Sequence, residues 1–118
     1  MRRFPTSVYG TGEEPDPRFS LANERTFLAW TRTALALIAG GVALEVLGLD
    51  LHPGFRLAAS LVLIIAGTAV APLAWWEWMR TERALRQSKP LPGAVSAVIL
   101  GVVVLAVGLL VIAGVVWR

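Results

Sequence analysis

The sequence predicts an all-α integral membrane protein. It reads as three transmembrane helices per chain, with the N-terminus cytoplasmic and the C-terminus outside, assembling as a helical homo-oligomer. Three observations carry that reading. Apolar residues gather in three runs, 26–49, 57–79 and 94–117, each 23 or 24 residues long. Such a run forms a helix of roughly 35 Å, enough to cross a bilayer with some tilt. Of the 118 residues 56% are hydrophobic and only 16% charged, too little polar surface to cover a soluble domain of this size. Lys and Arg crowd one side of the runs, nine against two.

Residues 1–17 read as a flexible cytoplasmic arm, because three prolines, two glycines and mixed charges leave no apolar periodicity. Pro17 disfavours helix at Asp16, and Ser20 or Asn23 can then N-cap the first helix. The three-helix transmembrane domain occupies 18–118, with helices expected over about 20–49, 57–86 and 94–117. A cleavable signal would place its apolar run nearer the start and make it shorter. The turn DLHPGF joins antiparallel neighbours, and KPLPG ends the extension of the second helix and redirects the chain into the third. No charge lies between Lys89 and Arg118, so the third run shows no polar stripe. Pro72 is expected to kink the second helix. Phe27, Trp30, Trp75, Trp76 and Trp78 share one interfacial depth, and Trp117 marks the other.

Orientation follows from the cations. Arg2, Arg3, Arg18, Arg25 and Arg32 precede or open the first run, and Arg80, Arg83, Arg86 and Lys89 follow the second. Only Arg56 and Arg118 lie on the opposite side. The positive-inside rule therefore places the N-terminus and the second connector in the cytoplasm. Small residues four apart, Ala36–Gly40, Ala39–Ala43, Gly67–Ala71 and Ala97–Gly101, allow close helix approach where lipid supplies no hydrophobic drive.

The segment RFSLANERTFLAWTRTALALIAGG carries Arg18, Arg25 and Arg32 at intervals of seven. Seven residues are nearly two turns, so Arg25 and Arg32 share a face, and Arg18 joins them if the helix reaches back that far. An arginine at mid-span costs about 2.5–3.5 kcal/mol and less near an interface, so Arg32 should meet protein, an aqueous cavity or headgroups. Two acids lie at similar depth: Glu24, which the helix dipole favours near the N-terminus, and Glu77 near the end of the second helix. One reading pairs Glu24 and Glu77 with Arg25 and Arg32 and fixes helix packing. The other converges copies of the stripe around an axis, as basic rings do in anion-selective pores. Glu45 lies near the outer end, where it can snorkel or meet Arg56.

Several function classes fall away. With no cysteine there is no disulfide or thiolate metal site, and the single histidine, His52, reads as a polar loop residue. No base-and-nucleophile group or paired metal ligands stand together, so we expect no enzyme, no metal and no cofactor, and no nucleic-acid partner.

The block DPRFSLANERTFLAWTRTALALIAGG closely resembles the opening of the bacterial YidH-like inner-membrane family, a domain-of-unknown-function family, over about residues 16–117. The family also includes the transmembrane domain of the eukaryotic vacuolar transporter chaperone, where three-helix modules assemble around a basic-lined polyphosphate channel. The resemblance implies an inner-membrane location and a ring of five modules, or fewer. It places Glu24 and Arg25 in the shared ANERTFL block and finds basic residues also at the positions of Arg18, Arg80 and Lys89. These become candidates for lining a pore or binding an anion. Arg32 belongs to the bacterial pattern, and the fungal channel subunit has a polar neutral residue there, so its candidacy rests on its place in the stripe. The 118 residues are expected to hold neither the soluble polymerase domain nor the sensing domain of the eukaryotic assembly.

Two functions follow. A homo-oligomeric channel would pass an anion or a polyphosphate-type polyanion along Arg18, Arg25 and Arg32. The alternative is a structural or accessory subunit of a larger membrane complex, with small-residue faces binding partner helices and the basic connector holding anionic lipid.

Overall fold

The computed structural model describes residues 5–93 and 95–118. Arg2, Arg3 and the expected start of the third span at Ala94 lie outside the described residues. The chain forms a one-turn helix α1 (Thr6–Tyr9) and three long helices, α2 (Pro17–Val46), α3 (Pro53–Arg86) and α4 (Val95–Val116). All three long helices are long and apolar enough to cross a membrane. The molecule measures 58 × 25 × 20 Å, so its ends reach beyond a hydrocarbon layer of about 30 Å.

Each long helix starts on a specific device. Neither Ser20 nor Asn23 caps α2. Asp16 does, its Oδ1 accepting the Arg18 amide at 2.9 Å, while Pro17 takes the first helical position, where its missing N–H is no loss. The helix therefore reaches back to Arg18 and completes the three-arginine stripe. α3 begins four residues before its apolar run because His52, read as a plain loop residue, caps it: Nδ1 accepts the Gly54 amide at 3.1 Å and Pro53 follows. α4 is capped from a distance, since Glu77 Oε1 accepts the Ser96 amide at 2.7 Å. α3 runs unbroken through Pro72, which is exposed on the side away from α2.

α2 and α3 pack antiparallel around Ala34, Leu37, Ala66 and Val70, with Trp30, Leu63 and, from α4, Leu100 and Val103 packed against them. Gly67 makes the approach close: a Cβ there would lie 2.6 Å from the Ala34 carbonyl oxygen and 2.7 Å from Ile38 Cγ1. Two turns toward the His52 end, Ser60 Oγ donates to the Gly41 carbonyl at 2.5 Å. Of the small-residue pairs read from the sequence, Gly67 lies at this seam and Gly40 touches Leu63. Ala36, Ala39, Ala97 and Gly101 face outward. The aromatic residues form two belts. Trp75 stacks on Trp78 at 5.0 Å and meets Phe27 edge-on at 5.8 Å, while Phe55 lies between His52 and Trp117 at the other end.

Residues 5–16, expected as a flexible arm, lie against the last turns of α3. Val8 is fully buried. Arg86 Nε donates to the Thr11 carbonyl at 2.7 Å, its Nη2 to the Tyr9 carbonyl at 3.0 Å, and its Nη1 lies 3.3 Å from Glu14. The Glu13 amide donates to the Arg86 carbonyl at 2.9 Å. Gly12 makes this fit possible: its φ is +61°, and a Cβ there would lie 2.1 Å from that same carbonyl oxygen.

Candidate functional site

The arginine stripe lies on the outer side of α2. The line Asn23–Phe27–Ala34–Gly41 meets α3, and at 3.6 residues per turn Arg18, Arg25 and Arg32 centre roughly 175° around the helix from it. All three are exposed, and so are Ala22, Ala29, Ala36 and Ala39, which alternate with them along the same stripe. Arg18 is held at the helix start by Asp16, with Nη2 2.8 Å from Oδ2. That hydrogen-bonded guanidinium keeps the Asp16 carboxyl below its ordinary pKa.

Arg25 and Arg32 form no ion pair among the described residues. The expected pairing with Glu24 and Glu77 gives way to other contacts. Glu77 turns to α4 and caps it. It is also at the wrong level: Phe27 against Trp75 and Ala34 against Gly67 bracket Arg32 near residues 69–70 of α3, about 10 Å along the axis from Glu77. Glu24 lies two turns inside α2 and borders a pocket with Tyr9, Glu14 and Ser20. Glu45 does meet Arg56, at 3.5 Å.

That pocket, 380 Å³ in volume, holds a group that the sequence reading missed. Glu82 is only 2% exposed. Its carboxylate accepts from Asn23 Nδ2 and Ser20 Oγ, both at 3.3 Å, and Asn23 Nδ2 also donates to the Trp78 carbonyl at 3.1 Å. This polar clamp fixes α2 against α3 at the basic end. A signal was present: Gly67, Ala74, Trp78 and Glu82 fall on one helical line, which continues the α2-facing seam past the apolar run.

Arg80 and Lys89 occupy a different place from the stripe. With Arg83, Ala84, Gln87, Pro90 and Pro92 they line a groove of 230 Å³. Trp76, Arg80 and Arg83 lie roughly opposite, around α3, to the line Ser60–Gly67–Ala74–Trp78 that faces α2. One chain therefore does not bring Arg80 and Lys89 together with Arg18, Arg25 and Arg32. No group of His, Cys, Asp and Glu suited to a metal occurs among the described residues.

Comparison with known proteins agrees with the architecture. The family model described as "Domain of unknown function (DUF202)" matches residues 18–84. "Inner membrane protein YidH" of Escherichia coli is 43% identical over 101 residues, covering 85% of this chain and 88% of that protein. An uncharacterized protein of Mycobacterium tuberculosis is 45% identical over 104 residues, 81% of this chain and 85% of its own. No solved structure matches. The matched region begins at Arg18 and ends within the buried turn that carries Glu82, so the stripe and the clamp both fall inside it, and the chain belongs to the DUF202 family of YidH-like membrane proteins.

Proposed function

We propose that the chain works in the inner membrane as a homo-oligomer, N-terminus and basic connector in the cytoplasm, with Arg25 and Arg32 facing an anion-conducting path. The observation that carries this reading is Arg32. It is exposed on the face of α2 that no helix of its own chain covers, about 10 Å deeper than Trp75, Trp76 and Trp78 and one half-turn beyond Trp30, with no ion pair among the described residues. Lipid is a poor neighbour for such a group, at a cost of about 2.5–3.5 kcal/mol at mid-span, falling toward the interface. A second copy or an aqueous lumen removes that cost. The alanines that alternate with the arginines let another helix approach closely. Successive guanidinium rings offer bidentate contacts to phosphate oxygens, so a polyanion of the polyphosphate type suits the path as well as chloride does. The likeness to YidH supports the inner-membrane location.

Proteoliposome flux of chloride and of polyphosphate, with the subunit count from native mass spectrometry, tests the reading. A closed ring is expected, and Arg25→Ala should lower flux while leaving the ring intact. Unchanged flux in an assembled variant overturns conduction along the stripe. A monomer, or a fixed ratio with an unrelated protein, favours the second reading, an accessory subunit. That reading is supported by the outward face of α4, where a Cβ at Gly101 would meet nothing within 4 Å and a partner helix could seat.

A further inference from the structure

We infer that the groove between the end of α3 and the following connector binds the phosphate of an anionic phospholipid headgroup. Its cations are Arg80, Arg83 and Lys89, and no carboxylate lines it. None of the three forms an ion pair among the described residues. Arg86, the fourth cation of the connector, is 8% exposed and gives the arm two hydrogen bonds, whereas Arg83 is exposed and gives it one, from Nε to the Ser7 carbonyl at 3.2 Å. Three uncompensated positive charges therefore share one small concavity, which attracts a compact anion.

The groove is built rather than incidental. The Arg80 guanidinium lies 4.5 Å over the Trp76 ring, which fixes it without engaging its N–H donors. Lys89 is brought back toward Arg80 and Arg83 by a tight reversal: the Lys89 amide donates to the Ala84 carbonyl at 2.9 Å and the Ser88 amide to the Leu85 carbonyl at 3.4 Å. That reversal puts Ser88 at φ +53°, alone among the described non-glycine residues in the left-handed region. A helix C-terminus by itself repels an anion, but here the last carbonyls are bonded and three full charges outweigh about half a charge of dipole.

Depth selects a lipid as the source of the phosphate. Arg80 lies 27 residues along α3 from Pro53, or about 40 Å, which falls within the far headgroup layer of a bilayer about 40–45 Å thick in all. Trp75 and Trp76, both partly exposed just below it, mark the interface. The site stands whether or not the protein conducts.

The test is native mass spectrometry of the full chain from micelles containing equimolar phosphatidylglycerol and phosphatidylcholine. The wild type should retain phosphatidylglycerol preferentially. Arg80→Gln, Arg83→Gln and Lys89→Gln should each weaken that preference about fivefold, and the triple variant should abolish it. Arg118→Gln, which removes a charge at the other end, should leave it unchanged. Equal retention of the two lipids, or a preference that survives in the single and triple variants, overturns the inference. So does displacement of the lipid by excess inorganic phosphate, which would assign the groove to a soluble anion instead.

Discussion

Gly67→Ala probes the seam on which the whole arrangement rests. The new Cβ would lie 2.6 Å from the Ala34 carbonyl oxygen, 2.7 Å from Ile38 Cγ1 and 3.1 Å from the Ile38 nitrogen. Two of those three atoms are backbone, so they yield only if α2 moves as a body. Restoring an ordinary contact opens the helix pair by roughly 0.5–1 Å, a gap that forfeits a quarter to a half of each dispersion contact across the seam. Overpacking of this kind costs about 1–3 kcal/mol, against up to about 1 kcal/mol regained from replacing glycine within a helix. Gly101→Ala supplies the reference: it receives the same propensity gain, but its Cβ would meet nothing within 4 Å in its own chain. Unfolding followed by circular dichroism in mixed micelles should place Gly67→Ala about 1–3 kcal/mol below Gly101→Ala. Equal stability would show that α2 and α3 do not approach at Gly67, and would remove the basis for putting the arginine stripe on the opposite face.

Three further outcomes follow from the same contacts. Asn23→Ala leaves the buried Glu82 with Ser20 as its remaining partner and should cost about 1–3 kcal/mol in the same unfolding assay, whereas Asn23→Asp, which sets carboxylate against carboxylate, should cost more. Arg86→Ala should raise hydrogen exchange across residues 6–14 without changing exchange in α4, and Gly12→Ala should do the same by pushing on the Arg86 carbonyl; unchanged protection in both would refute the docked arm. Glu77→Ala uncaps α4 and should cost about 1 kcal/mol, with faster exchange at the Ser96 amide as the local readout.

The three long helices were legible because hydropathy and length are summed over more than twenty residues, and no single position decides them. Their starts were not, because each depends on one contact. Asp16 and His52 are both followed by a proline at the first helical position, and that pattern marked the true caps better than Ser20 or Asn23 did. The spacing of seven was enough to put Arg25 and Arg32 on one face. It could not say which way the face points, because that depends on which residues α3 meets. Glu77 illustrates the loss most clearly. Its depth suggested a cation as partner, but the nearest unsatisfied group was a backbone amide at the start of α4, a partner that has no signature in the side-chain sequence. Glu82 was passed over because it follows the apolar run, where a charge reads as solvated surface until α2 and the arm are seen to cover it.

A count of nine cations against two treats the cations on one side as equivalent, and the structure divides them. Arg86 is buried and holds carbonyls of the arm, so its removal is felt in local order. Arg80, Arg83 and Lys89 form an open groove on the outer side of α3, with Arg83 also giving one bond to the Ser7 carbonyl of the arm. Arg25 and Arg32 stand on the far side of α2. Topology alone requires none of these separations, since any basic residue near the interface satisfies the positive-inside rule. The groove lies at headgroup depth, where charge is cheap, and lipid can answer it. Arg32 lies deeper, where charge is expensive and lipid cannot. It is the deepest of the exposed cations, and on the reading proposed above a second copy or a water-filled lumen is the neighbour that its own chain does not supply, which is why the subunit count bears on function more directly than any further property of the single chain.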